Sequence, residues 1–196
     1  MFVQVIQGKV RDADLLARQS ERWIREIKPG VKGYLGLTTG VTPEGHAITI
    51  ARFESAEAAA ANSDSAQQDA WWNETVKAYD GEPTFRDSNE VDTLFGGGSN
   101  DAGFVQVIQG TAKDQGAMRS QFGAMESDLR AARPEILGMS VAWHDGGAFT
   151  QAVYFKSETE ARKAESATEN NDMRQAYMGM FAGPPAFYDL RSPLLD

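Results

Sequence analysis

The chain has 196 residues, enough for one large domain or two small ones, and its 41% hydrophobic and 24% charged residues are ordinary for a soluble globular protein. Nineteen Lys and Arg against 28 Asp and Glu give a formal net charge of -9. That leaves no clustered basic surface for nucleic acid or an anionic membrane, so neither is expected as a partner. With no cysteine there is no disulfide, thiolate nucleophile or cysteine metal site, which fits a reducing compartment.

The chain opens on the strand-like Phe2-Val3-Gln4-Val5-Ile6-Gln7-Gly8 without the basic start and long apolar run of a leader, and no stretch approaches membrane-spanning length. A cytoplasmic location is the expectation. Asp12 is placed to cap a helix whose positions Leu15, Leu16, Gln19, Trp23, Ile24 and Ile27 keep helical spacing until Lys28-Pro29-Gly30 stops it. Residues 33–39 and 46–53 predict two strands of a hairpin, turned at Thr42-Pro43-Glu44-Gly45. A second helix is expected from Ser55, carrying Trp71, Trp72, Val76 and Tyr79 on its packing face, with Glu57 to Ala61 as a solvated face. Gly81 leads into a short final strand.

The opening heptapeptide recurs unchanged as Phe104-Val105-Gln106-Val107-Ile108-Gln109-Gly110, 102 residues later. Phe53-Glu54-Ser55 and Phe155-Lys156-Ser157 keep the same offset, as do the endings at Gly81 and Gly183. Pro29 and Gly33 match Pro134 and Gly138 at an offset of 105, which predicts about three extra residues in the second copy's first helical region and a longer hairpin loop in the first copy. Met118, Phe122, Met125 and Leu129 repeat the first helical stripe, and Met173, Tyr177 and Phe181 the second. Gly96-Gly97-Gly98-Ser99-Asn100 is the one linker-like run. The expected domains are therefore a first ferredoxin-like repeat over 1–92, a linker over 93–103 and a second repeat over 104–196. A βαββαβ unit leaves one sheet face bare, so burial predicts an α+β fold in which two ferredoxin-like repeats close sheet against sheet as one intrachain, pseudo-dimeric barrel. Further oligomerisation is compatible with it.

Trp23-Ile24-Arg25-Glu26-Ile27-Lys28-Pro29-Gly30-Val31, Gly33, the Glu44-Gly45 turn, Phe53-Glu54-Ser55 and Gly81-Glu82-Pro83-Thr84-Phe85 together resemble the antibiotic biosynthesis monooxygenase family, whose members are dimeric α+β barrels. The resemblance covers nearly the whole chain apart from the linker and implies a fused version built from two family units. It implies a small hydrophobic or aromatic ligand held between helices and sheet, with cofactor-free monooxygenation as the specific activity and a non-catalytic ligand-binding or protein-assembly barrel as the alternative. Where the family's quinone-forming oxygenases carry a Trp ending the third strand and an Asn four residues earlier, this chain has Phe53 with Thr49, and Phe155 with Gln151. Haem-degrading relatives take an iron ligand from a histidine on the second helix. The two histidines here, His46 and His144, both stand at hairpins, so no haem, other cofactor or metal is expected.

The ligand-binding candidates are Gln151, Phe155, Tyr177, His144 and Trp143 in the second copy, and Thr49, Phe53 and Trp72 in the first; no catalytic residue is assigned. His46 and His144 could act as bases near neutral pH, but exposed hairpin histidines account for them more simply. Only one of the adjacent Trp71 and Trp72 can lie centrally on a packing face. Gln4, Gln7, Gln106 and Gln109 interrupt apolar strands and are expected to pair with groups across the pseudo-two-fold axis, or else to face the ligand. Arg52, Tyr34, Tyr154 and Tyr188 are further polar positions with structural roles. Because Gln151 offers an amide where Thr49 does not, any chemistry is expected in the second copy and packing in the first.

Overall fold

The computed structural model describes residues 1–167 and 172–196; the Met173 side chain, expected on a packing face, lies outside the described residues. The fold is α+β, with two antiparallel sheets of five strands and helices after the first and third strands of each repeat.

In the first repeat β1 (Phe2–Lys9) leads to α1 (Ala13–Arg22). The Asp12 carboxylate caps α1 by accepting the Leu15 N–H at 2.8 Å. The helix widens into a π turn over Trp23–Ile27, which buries both Trp23 and Ile27, and Pro29 ends it. The hairpin strands β2 (Tyr34–Val41) and β3 (His46–Phe53) follow, and β3 pairs along the whole of β1. The expected single second helix is two, α2 (Ala56–Ser63) and α3 (Ala66–Thr75). Ser65 adopts an extended backbone and accepts the Gln68 N–H, so a second cap restarts the helix after Asp64. Ala59 and Asn62 of α2 are buried, so the alanine-rich run has an inward face as well as a solvated one. Strand β4 (Thr84–Ser88) lies on the other side of β1.

The second repeat sets β6 (Phe104–Thr111), α4 (Gln115–Ala132), β7 (Ile136–Trp143), β8 (Ala148–Phe155), α5 (Glu158–Ala167), α6 (Asp172–Gly179) and β9 (Ala186–Arg191) in the same order. Strands β6, β7 and β8 start 102 residues after β1, β2 and β3 and have the same lengths. The three-residue insertion inferred from Pro29 and Pro134 is therefore absent. Gly36, opposite Arg52, is the counterpart of Gly138, opposite Tyr154, each at a strand irregularity. The prolines mislead because they end helical segments of different length: α4 continues unbroken to Ala132, whereas α1 changes pitch at Trp23.

Two short strands complete the sheets. Strand β5 (Glu90–Leu94) adds to the edge at β7, and β10 (Leu194–Leu195) pairs with Thr38 and Thr39 of β2. The compact units are accordingly Met1–Glu90 with Ser192–Asp196, and Val91–Arg191. These boundaries differ from the expected breaks at 92 and 104, because the chain entering the presumed linker, through Leu94, and the last residues of the second repeat are edge strands. In the first unit Asp196 fixes β10: its carboxylate takes the Tyr34 hydroxyl at 2.9 Å and pairs with Lys28. A Cβ on Gly36 (φ +148°) would collide with the Arg52 guanidinium and the Asp196 carbonyl, so glycine is required there. In the second unit the Asp92 carboxylate accepts from the Trp143 indole (2.7 Å) and from Arg119 (2.8 Å), which fixes β5. Among the described residues no helix is long and apolar enough to cross a membrane.

Candidate functional site

Side chains alternate along a strand, so Thr49, Ala51 and Phe53 share a face of the first sheet with Leu37 and Thr39 of β2 and with Gln4 and Ile6 of β1. That face lies beneath α1, α2 and α3 and encloses a cavity of about 60 Å³. The floor is polar at one point, where the Thr39 and Thr49 hydroxyls bond to each other at 2.6 Å. The roof is aromatic. Trp23 donates its indole N–H to Gln68 (2.7 Å) and Trp71 donates to the Gln19 carbonyl (2.8 Å), so both rings are tethered. Trp71 is the buried member of the adjacent pair, and Trp72 sits half-buried at the margin, 5.9 Å from Trp71 and 5.3 Å from Phe85 between ring centres.

The lining has no charged side chain, and its one titratable group is Tyr79, whose pKa burial pushes up to about 12. Several residues of the lining, among them Ser20, Gln68, Thr75 and Asn62, were not marked by the sequence. Asn62, on the last turn of α2, is 9% exposed, and its Oδ1 has no hydrogen-bond partner. It also borders an outer groove of about 340 Å³ between the Ile27–Gly33 segment and the start of α3. A lone Asn in an alanine-rich run carries no periodic signal that would have marked it.

At the equivalent positions the second unit carries bulkier side chains. At the constant offset of 102, Ser20, Leu37, Thr39, Thr49, Ala51 and Thr75 are matched by Phe122, Met139, Val141, Gln151, Val153 and Tyr177. Most of these replacements are larger, and most of them join one apolar cluster with Trp143, Phe149 and Phe155. Gln151 is buried there with both ends of its amide engaged. Tyr177 donates its hydroxyl to Gln151 Oε1 at 2.5 Å, and Gln151 Nε2 lies 2.9 Å from the Met139 sulfur. Burial raises the Tyr177 pKa well above its ordinary value. Of the sequence candidates, Gln151, Phe155, Tyr177 and Trp143 thus meet as a packed core, and Thr49, Phe53 and Trp72 meet at the first unit's cavity. His144 points to the opposite sheet face from Trp143 and lies 3.1 Å from the Thr150 hydroxyl, while His46 is exposed. Among the described residues a cavity is seen in the first unit, where packing alone had been expected.

No protein-family model and no curated protein matches this sequence. Solved structures do. A candidate monooxygenase from Fusobacterium nucleatum superimposes with a TM-score of 0.77 at 11% identity, covering 100% of this chain and 93% of that one. An anthrone oxidase-like protein gives 0.60 at 13% identity, with 100% and 92% covered. A ferredoxin-fold protein of Listeria monocytogenes, described as uncharacterized and related to antibiotic biosynthesis monooxygenases, gives 0.53 at 9%, with 99% and 95% covered. The chain has the fold of antibiotic biosynthesis monooxygenase-like proteins along its full length.

Proposed function

We propose that this chain binds a small, neutral, largely aromatic molecule in the helix-to-sheet space of its first unit. The observation that carries the reading is a cavity walled by Trp23, Trp71, Trp72 and Phe53 with no charged group in its lining. An ionic ligand would lose its hydration there without gaining a counter-charge, whereas an aromatic one gains stacking and apolar burial. A volume of about 60 Å³ holds about two waters, so a ring enters by displacing a wall. Trp72 is the wall that can move, being half-buried and untethered by the bonds that hold Trp23 and Trp71.

Cofactor-free oxygenation is the second reading, favoured by the likeness to the anthrone oxidase-like structure. With Tyr79 as the one titratable wall residue, the substrate would have to supply its own acidity, as an anthrone does at the carbon that is oxidised. The reaction would consume one O₂ per anthrone and release anthraquinone and water.

Titration with anthrone, followed through the indole N–H signals of the labelled protein, tests both. The expected result is saturable movement of the Trp71 and Trp72 signals with Trp143 unmoved, and its loss in Ser20→Leu, which adds bulk to the cavity. Movement of all four indoles alike, or an unchanged titration in Ser20→Leu, would remove the site. Oxygen uptake with quinone formation separates the enzyme from the binding protein.

A further inference from the structure

We infer that Asn62 is the polar anchor of this site, so that its ligand presents a neutral hydrogen-bond donor, a phenol-type O–H or an N–H, to the Asn62 carbonyl oxygen. The inference rests on the proposed ligand site in the first unit.

Most other polar groups along the cavity already have partners. Trp23 donates to Gln68, Thr39 bonds to Thr49, Ser20 donates to the Leu16 carbonyl and Thr75 to the Trp71 carbonyl. Asn62 Oδ1 is withdrawn from water and takes no bond among the described residues. The second such atom, Gln19 Oε1, does not line the cavity. A buried acceptor left unpaired weakens the folded state, so its retention calls for a reason outside the packing.

The repeat shows that packing does not require the amide. Helices α2 and α5 start 102 residues apart, and the counterpart of Asn62 is Ala164. Asn62 also stands where the inner cavity and the outer groove adjoin, lining both. A ligand with its ring among the tryptophans and its donor at ring level would meet Oδ1 at that neck. Larger substituents would extend past it into the groove, beside Ala58 and Val31 and toward Lys32 and Glu54.

Phenol, anisole and toluene form a matched probe set of donor, acceptor and neither. Their affinities for the wild type, Asn62→Leu and Asn62→Ala are read from the Trp71 and Trp72 indole signals, with Trp143 as internal control. Phenol is expected to bind the wild type at least about tenfold more tightly than anisole. In both variants that advantage should fall to about onefold while toluene binding stays within about twofold. Survival of the phenol advantage in the variants, or anisole matching phenol in the wild type, overturns the anchor while leaving the site standing. If none of the three probes moves the signals in any protein, the site itself fails and the inference with it. Thermal midpoints at or near the wild-type value are expected for both variants; Asn62→Ala, carrying the second repeat's own residue, decides the matter should the leucine be too large to accommodate.

Discussion

Gln106 on β6 donates its side-chain N–H to the carboxylate of Asp189 on the adjoining β9, at 3.2 Å. Gln4 does the same to Asp87 at 3.0 Å, and in both repeats the two residues face each other in the strand register. Gln4 and Gln106, two of the four glutamines expected to pair across a pseudo-two-fold axis, thus have partners within their own sheets, and Gln109 donates to Thr150 of its own sheet. Asp189 also pairs with Arg162, and Gln106 is buried, whereas the Gln4 pair is exposed. Asp189→Ala is expected to lower stability by about 1–3 kcal/mol, and Asp87→Ala by about 0.5 kcal/mol. Urea denaturation of the two variants checks the difference.

The two helix-to-sheet spaces should respond in opposite ways to a change of volume. Phe122→Ser imposes the first repeat's residue on a filled core, and a loss of about 3–5 kcal/mol is expected from the cavity it leaves. Ser20→Leu enters space already open, so its stability should stay within about 1 kcal/mol of the wild type while aromatic binding falls. Denaturation midpoints and an anthrone titration give the two readouts. Equal destabilisation by both changes would mean that the first space is not open in solution.

Tyr177 and Gln151 form a buried pair that is costly to halve. Tyr177→Phe leaves Gln151 Oε1 without its donor, and a loss of about 1–3 kcal/mol follows. Adding Gln151→Met removes the orphaned amide and should recover much of that loss. A double-mutant cycle measures the coupling, and strict additivity would show that the hydroxyl and the amide do not act together.

Alkaline pH should loosen the fold through its tyrosines. Burial raises Tyr79 to about 12; burial, then the bond and charge of Asp196, raise Tyr34 further, and burial raises Tyr177. An unfolded tyrosine loses its proton near pH 10, so above that pH the folded state holds protons that the unfolded state has released. The stability is complete below about pH 10 and falls as pH rises toward 12. Phenolate absorbance should show Tyr34, Tyr79 and Tyr177 titrating late, with their release coinciding with loss of the denaturation baseline.

What could be read in advance was whatever repeats or alternates. The heptapeptide at Phe2 and Phe104 marked both central strands, and the turn at Thr42-Pro43-Glu44-Gly45 marked the hairpin that sets β2 beside β3. Strands β5 and β10 left no such trace. Glu90-Val91-Asp92-Thr93-Leu94 mixes charges with apolar residues, as edge strands do, and β10 has two residues; both owe their place to Asp92 and Asp196 bonding across the sheet rather than to a pattern. The candidate site was half legible for a related reason. Its aromatic wall could be named from helical spacing, but its open volume is a difference between small and large side chains at matched positions, and that required the true register of 102 rather than the offset drawn from prolines.

The pairing of Leu194 and Leu195 with Thr39 and Thr38 joins residues more than 150 positions apart in a sheet whose other strands all lie within the first ninety residues. During synthesis the first unit must therefore wait, with the edge of β2 uncovered, while the contiguous stretch Val91–Arg191 is made and can settle by itself. The unit that carries the cavity is thus the later one to be finished. Closing so long a loop is an entropic step that local helices do not face, so the first sheet gains its outer edge only when Leu194 and Leu195 dock on β2.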